Sequence, residues 1–237
     1  MNSLFRGTRT RMAGLLLALV VLAPSAMAQK SRTADAARHS EAAAKIFTEI
    51  MNVREQSIPR NLLDKAEAIA VFPGVVKVAF GIGGKGGQGV ISRRIRGGWS
   101  APAFFNLGGG SIGAQIGAQK TDYVLLIMND DGLNGLLKDK FEIGGEVSVA
   151  AGPVGREAAA ATDATLSAGI LSYSRTKGAF IGAALKGGVI SPDNDLNEAI
   201  YGKKAKDVLT ERNPMKMNDM PASVRIFPRT LARYSVR

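Results

Sequence analysis

Between residues 68 and 186 small and apolar residues alternate with a period of two, and glycine or proline interrupts the pattern every few residues. That pattern admits strands and turns and leaves little room for long helices. It predicts strands over 68–72, 75–82, 89–95, 103–107, 111–119, 123–128, 141–150, 164–174 and 179–185. Many of the chain's 28 glycines fall inside these strands. Such glycines mark bulges, sharp bends or close backbone approaches, as a sheet needs when it curls into a small barrel. The segments LGGGSIGAQIGAQ and IGGEVSVAAGPVG resemble each other and read as a weak repeat of one hairpin type.

Helical patterns flank this region. Over 33–53, Ala43, Ile46, Phe47, Ile50 and Met51 recur at three- and four-residue spacing, opposite Arg38, Glu41, Lys45 and Glu49. Pro59 opens a short helix through Leu62, Leu63 and Ala66. Asn129 to Gly132 form a turn leading into a helix over 133–138, and Asp193 caps a helix through Leu196 to Tyr201. The last segment, 203–237, is helix-prone and carries nine basic residues against three acidic ones. The expected fold is therefore α+β: a small, mainly antiparallel, barrel-like sheet flanked by helices.

Residues 1–28 carry Arg6, Arg9 and Arg11, then the apolar run AGLLLALVVLA, then the small-x-small site Ala26-Met27-Ala28. This is the pattern of a cleaved signal peptide with Gln29 as the mature N-terminus, and the apolar run is too short to span a bilayer. Export to a periplasm or cell envelope is the expectation. The expected organisation is a signal peptide at 1–28, an amphipathic helix at 29–57, a binding domain at 58–202 and a basic helical extension at 203–237. The chain has no cysteine, which removes disulfides, thiol nucleophiles, thiolate metal sites and lipid attachment at the cleavage site.

The chain has 31 basic and 20 acidic residues, a formal charge of +11. Removing 1–28 takes away three arginines and no acid, leaving +8. Such an excess attracts polyanions. Export disfavours nucleic acid, and an aromatic content of 6% offers no base-stacking platform. The charge is unevenly placed. No acid lies between Glu67 and Asp122, while Lys77, Lys85, Arg93, Arg94, Arg96 and Lys120 all fall there. A second cluster holds Arg175, Lys177 and Lys186. Arg93 and Arg94 are adjacent on a strand and so face opposite sides; with Arg94 and Arg96 outward, Arg93 needs a partner. Trp99, Phe104 and Phe105 lie where they could enter a membrane interface or a core.

Catalytic motifs are weak. Gly81 to Gly86 spell G-x-G-x-x-G, but a strand pattern follows where a dinucleotide site needs a helix, and no acid comes until Asp122. Lys85 is followed by Gly86 where a phosphate-binding loop needs Ser or Thr. Asp193, Asp195 and Asn197 begin like a calcium loop that Glu198 and Lys204 then break. His39 is the only histidine and reads as solvated; no metal site or cofactor is expected. No G-x-S-x-G elbow occurs. Paired-carboxylate chemistry would fall to Asp122, Glu142 and Glu146. The chain reads as a non-enzyme.

Six segments in order, WSAPAFF, GGGSIGAQIG, TDYVLLIMN, SVAAGPVGR, LSYSRTKGAFIGAALKG and NEAIYG, resemble the SYLF domain family, a domain also described as actin-binding in fungal proteins. The resemblance covers about 58–202. It implies a lipid-binding module that uses basic residues and an N-terminal amphipathic helix, and Arg175 and Lys177 match the family's SYSR-x-KG segment. The expected function is binding of anionic, phosphoinositide-like head groups at a membrane surface. The site residues would be Lys77, Lys85, Arg93, Arg94, Arg96, Arg175 and Lys177. The alternative is an interaction protein whose basic surface docks an acidic envelope protein or polymer. Actin is not expected as a partner of an exported chain.

Overall fold

The computed structural model describes residues 9–53, 57–145, 147–155, 167–183, 185, 187–212 and 214–235; at 9–28, 79–82 and 111–116 it describes the backbone alone. Among these residues, six helices and a 3-10 turn surround one curled, mixed sheet. The α+β expectation holds.

The strands expected as separate short pieces merge. β1 runs unbroken over Ala68–Ile95, and β3 over Ala103–Ile127. They form one long antiparallel ribbon, joined through the short β2 (Gly98–Trp99). The glycines read as strand ends are bends within strands. Register shifts between Phe72 and Val75 and between Ala79 and Gly81 absorb the curvature.

The ribbon bends back on itself. The Arg94 N–H donates to the Glu67 carbonyl at 2.7 Å, so the last turn of β1 meets the residue before its first. Between these ends Gly89 lies against Val71 and Phe72, and Gly87 against Val75. A Cβ at Gly87 would fall 2.8 Å from Val75 Cγ2, so only glycine lets the two halves of β1 approach this closely.

β3 is the spine of the remaining sheet. Its C-terminal half pairs with β6 (Ile170–Thr176) and its N-terminal half with β8 (Val189–Pro192). β6 pairs in turn with β7 (Ala179–Gly182) and, in parallel, with β5 (Val149–Ala151), while β4 (Phe141–Glu142) pairs with β8. The strand expected over 141–150 is thus two short pieces around a turn.

The helices close the open side. α1 spans Arg9–Asn52, starting well before the expected 33–53. The face bearing Ala43, Ile46, Phe47 and Ile50 is buried against the body. Each large side chain buried there contributes roughly 1.5–3 kcal/mol. This apolar face is therefore core, and no membrane-facing role is left for it. α2 (Arg60–Lys65), α3 (Asp130–Leu136), α4 (Asn194–Tyr201) and α5 (Ala205–Thr210) follow the sequence cues. Asp193 caps α4 as expected; α3 starts at Asp130, inside the turn expected over 129–132, because Asn129 caps it by accepting from the Gly132 N–H. The 3-10 turn Ala222–Val224 leads to α6 (Ile226–Tyr234), which packs on α1 with the Phe47 and Tyr234 rings edge to face at 5.9 Å. Leu209, Val224, Phe227 and Leu231 are all buried, so the C-terminal segment belongs to the same core as the sheet.

Candidate functional site

The basic residues singled out in the sequence separate into two groups at opposite ends of the ribbon. Arg93, Arg94 and Arg96 sit at its base, near Glu67. Lys77 and Lys85 sit at the bend. Eight positions of strand separate Lys85 from Arg93, roughly 26 Å if straight.

At the base, the two inner arginines are built into the fold. The Arg94 guanidinium donates from Nε to the Ala66 carbonyl at 3.0 Å and from Nη2 to the Leu63 carbonyl at 2.6 Å. It also lies over the Trp99 ring, 4.3 Å from its centroid. Arg93 reaches the Leu209 carbonyl at 3.5 Å, the partner its alternation demands. Arg96 alone of the three is exposed. Trp99, Phe104 and Phe105 are at most 2% exposed, which makes all three core residues and removes them as interfacial anchors. The Trp99 indole N–H is satisfied by Ser235 Oγ at 3.2 Å.

Arg175 is likewise held in place. No acid adjoins it in sequence, but the fold brings two. Its Nη1 lies 2.5 Å from Glu49 of α1, and its Nε and Nη2 lie 3.0 and 2.9 Å from Asp122 Oδ2 on β3. Asp122 accepts a further bond from the Gly74 N–H at 2.7 Å. This chain of ion pairs clamps α1 onto the sheet. Its carboxylates are consumed by it, so Asp122 is not poised as an acid or base. Glu142 is exposed on β4, and Glu146 lies outside the described residues.

The bend holds three exposed cations, Lys77, Lys120 and Lys177, and the half-buried Lys85. Paired residues on neighbouring strands project to the same side. Val76 pairs with Lys120, and Val78 with Ala118, one step on along the same face. Thr121 and Thr176 share a hydroxyl–hydroxyl bond of 2.9 Å, which brings Lys177 level with Lys120. Lys77, paired with Gln119, projects to the other side of the ribbon. Lys85 comes near it there: burial pulls the Lys85 ammonium below the usual lysine range, and the Lys77 charge adds to the shift. Val76 and Val78 are exposed, the latter by 53%. The bend therefore presents Lys120 and Lys177 on one face, Lys77 and Lys85 on the other, and valine side chains in solvent beside them. Lys120 and the valines are missing from the sequence-derived site. Period two alone could have placed Val76 and Val78 together, but not outside the core.

Lys177 has an unusual backbone. Lys177 and Gly178 form the two-residue turn between β6 and β7, and both have positive φ, 50° and 86°. Such turns prefer Asn-Gly because a side chain in the left-handed region costs about 1–2 kcal/mol. Lys177 is the only non-glycine residue with positive φ among those described. A lysine kept at a strained, exposed turn tip points to a role for its charge.

His39 is half-buried rather than solvated. Burial, then the Arg38 charge, lowers its imidazole below the usual range, so it is neutral at pH 7. Among the described residues no three His, Asp or Glu side chains gather as a metal site. No described helix is long and apolar enough to cross a membrane.

Comparison with known proteins adds the following. A family model described as "Ysc84: Las17-binding protein actin regulator" matches residues 108–234. LAS seventeen-binding protein 3 of Saccharomyces cerevisiae is 34% identical over 164 residues, covering 67% of this chain and 36% of that protein. Protein YSC84 of the same yeast is 34% identical over 152 residues, covering 62% and 32%. The human SH3 domain-containing YSC84-like protein 1 is 30% identical over 174 residues, covering 71% and 51%. The chain thus spans about a third to a half of the length of these curated relatives.

Proposed function

The chain belongs to the Ysc84 family, the SYLF domain of the sequence reading, and from that premise we propose that it is a non-enzymatic module that binds anionic phospholipid head groups through the bend of its ribbon. Lys77, Lys85, Lys120 and Lys177 are the contact residues, with Val76 and Val78 entering the interface beside them. The single observation that carries this reading is Lys177, held at positive φ at an exposed turn level with Lys120. Arg96 is an exposed cation outside this cluster. Arg93, Arg94 and Arg175 act by holding the fold.

Each lysine near an anionic surface contributes about 1 kcal/mol. Replacing Lys77, Lys120 and Lys177 with alanine should weaken co-sedimentation with phosphatidylserine vesicles about 100-fold. The wild-type affinity should also fall steeply with added salt. Lys177→Gly separates charge from strain: it should raise stability by about 1 kcal/mol while lowering vesicle binding. Arg175→Ala, which strands two partly buried carboxylates, should lower the melting temperature instead. Vesicle binding that ignores both salt and the lysines would sink the proposal.

The reading includes export. The charged, apolar and small-residue order of residues 1–28 supports it. Mass spectrometry of envelope fractions should then find a mature chain beginning at Gln29, and an intact Met1 there would refute cleavage. In a second reading the same bend docks an acidic protein or envelope polymer; the name LAS seventeen-binding protein 3 supports a protein partner.

A further inference from the structure

A second charged surface lies away from the ribbon's bend, between α1 and α6. It is a groove of about 500 Å³. One wall is Arg229 and Arg233 of α6, four residues and so about 6 Å of helix rise apart, with Arg225 just before the helix. The other wall is Glu41, Lys45, Thr48 and Glu49 of α1. Between them lie Ala44 and Ala222, and Ile226 stands on the rim, 43% exposed.

The charges of this groove do not cancel. Glu49 is already taken by Arg175 at 2.5 Å and by Lys45 at 3.9 Å. Arg225 is anchored by its donors to the Met220 and Asn218 carbonyls, both at 2.6 Å. The Arg229 and Arg233 side chains, both exposed, donate to no partner among the described residues. Glu41 is the one acid of the lining left to oppose them. Two unpaired guanidinium groups one helical turn apart, next to an exposed isoleucine, match a helical segment with carboxylates one turn apart and an apolar side chain between them.

We infer that the α1–α6 groove docks an acidic, amphipathic helical segment of a partner protein. Arg229 and Arg233 bind its carboxylates and Ile226 meets its apolar residue. This surface is independent of the lysines at the bend.

The test uses the whole chain and a fluorescein-labelled peptide repeating Glu-Glu-Leu-Ala, with the Gln-Gln-Leu-Ala peptide as control. Fluorescence anisotropy should show binding of the Glu peptide only. R229Q/R233Q should weaken that binding about tenfold, with an unchanged melting temperature, because both residues are exposed. K77A/K177A should leave peptide affinity unchanged. No binding, equal binding of the Gln peptide, or full affinity in R229Q/R233Q would overturn the inference. A phosphatidylserine vesicle arm separates the two surfaces: if R229Q/R233Q loses vesicles and keeps peptide, the arginine row belongs to a membrane-facing surface and the peptide site falls.

Discussion

Replacing Gly182 with alanine should lower the stability of the domain by about 3 kcal/mol, the upper end of what overpacking costs. Gly182 lies on β7 opposite Tyr173 of β6. A Cβ there would collide with the Gly152 carbonyl oxygen, and a Cβ on Gly152 would collide in turn with the Tyr173 ring. The obstacle in the first case is backbone, which cannot swing aside as a flexible side chain can. The Tyr173 ring has no more room, because it stacks on Phe180 at 5.4 Å and its hydroxyl donates to the Pro153 carbonyl at 3.3 Å. For a domain of this size the loss corresponds to a melting temperature lower by about 6–12 °C. Thermal denaturation checks it. A midpoint like that of the wild type would mean that β5 and β7 are not packed as described.

Arg94→Ala should cost about 3–4 kcal/mol. The side chain makes two charge-assisted bonds to the Ala66 and Leu63 carbonyls, each worth about 1.5–3 kcal/mol when the acceptor would otherwise be stranded. It also covers the Trp99 ring. These contacts fasten the end of β1 to the loop before its start. Arg94→Lys should recover less than half of the loss, since one ammonium cannot serve two carbonyls and a ring as the planar fork does. Urea unfolding would measure both variants. Vesicle binding per folded molecule should not change in either. Near-wild-type stability for Arg94→Ala would return this residue to the surface charges.

The helices and their caps were legible in the sequence because their cues are local. Phe47 and its neighbours recur at helical spacing, and Asp193 stands just ahead of its own helix. The family was legible too, from six ordered segments. The long strands were not. Glycine at 74, 84 and 108 reads as a break when the strand runs on through it. The charge pattern misled for a related reason. Arg93, Arg94 and Arg175 look free along the chain because their partners lie 28 to 126 residues away. The absence of nearby acids therefore said nothing about which cations reach solvent. What marks Lys177 is its dihedral angle, which only the two-residue turn reveals.

The packing of α6 on α1 also bears on when the molecule can fold. Tyr234 meets Phe47 and bonds Asn52, and Ser235 satisfies Trp99. Residues 234 and 235 thus complete contacts with residues more than 130 positions earlier. Contacts so distant in sequence form slowly, because the loop between them must close before any of them stabilises it. Until α6 docks, the part of the Phe47 face that meets Tyr234 stays open, so α1 and α6 settle into the core together rather than one after the other.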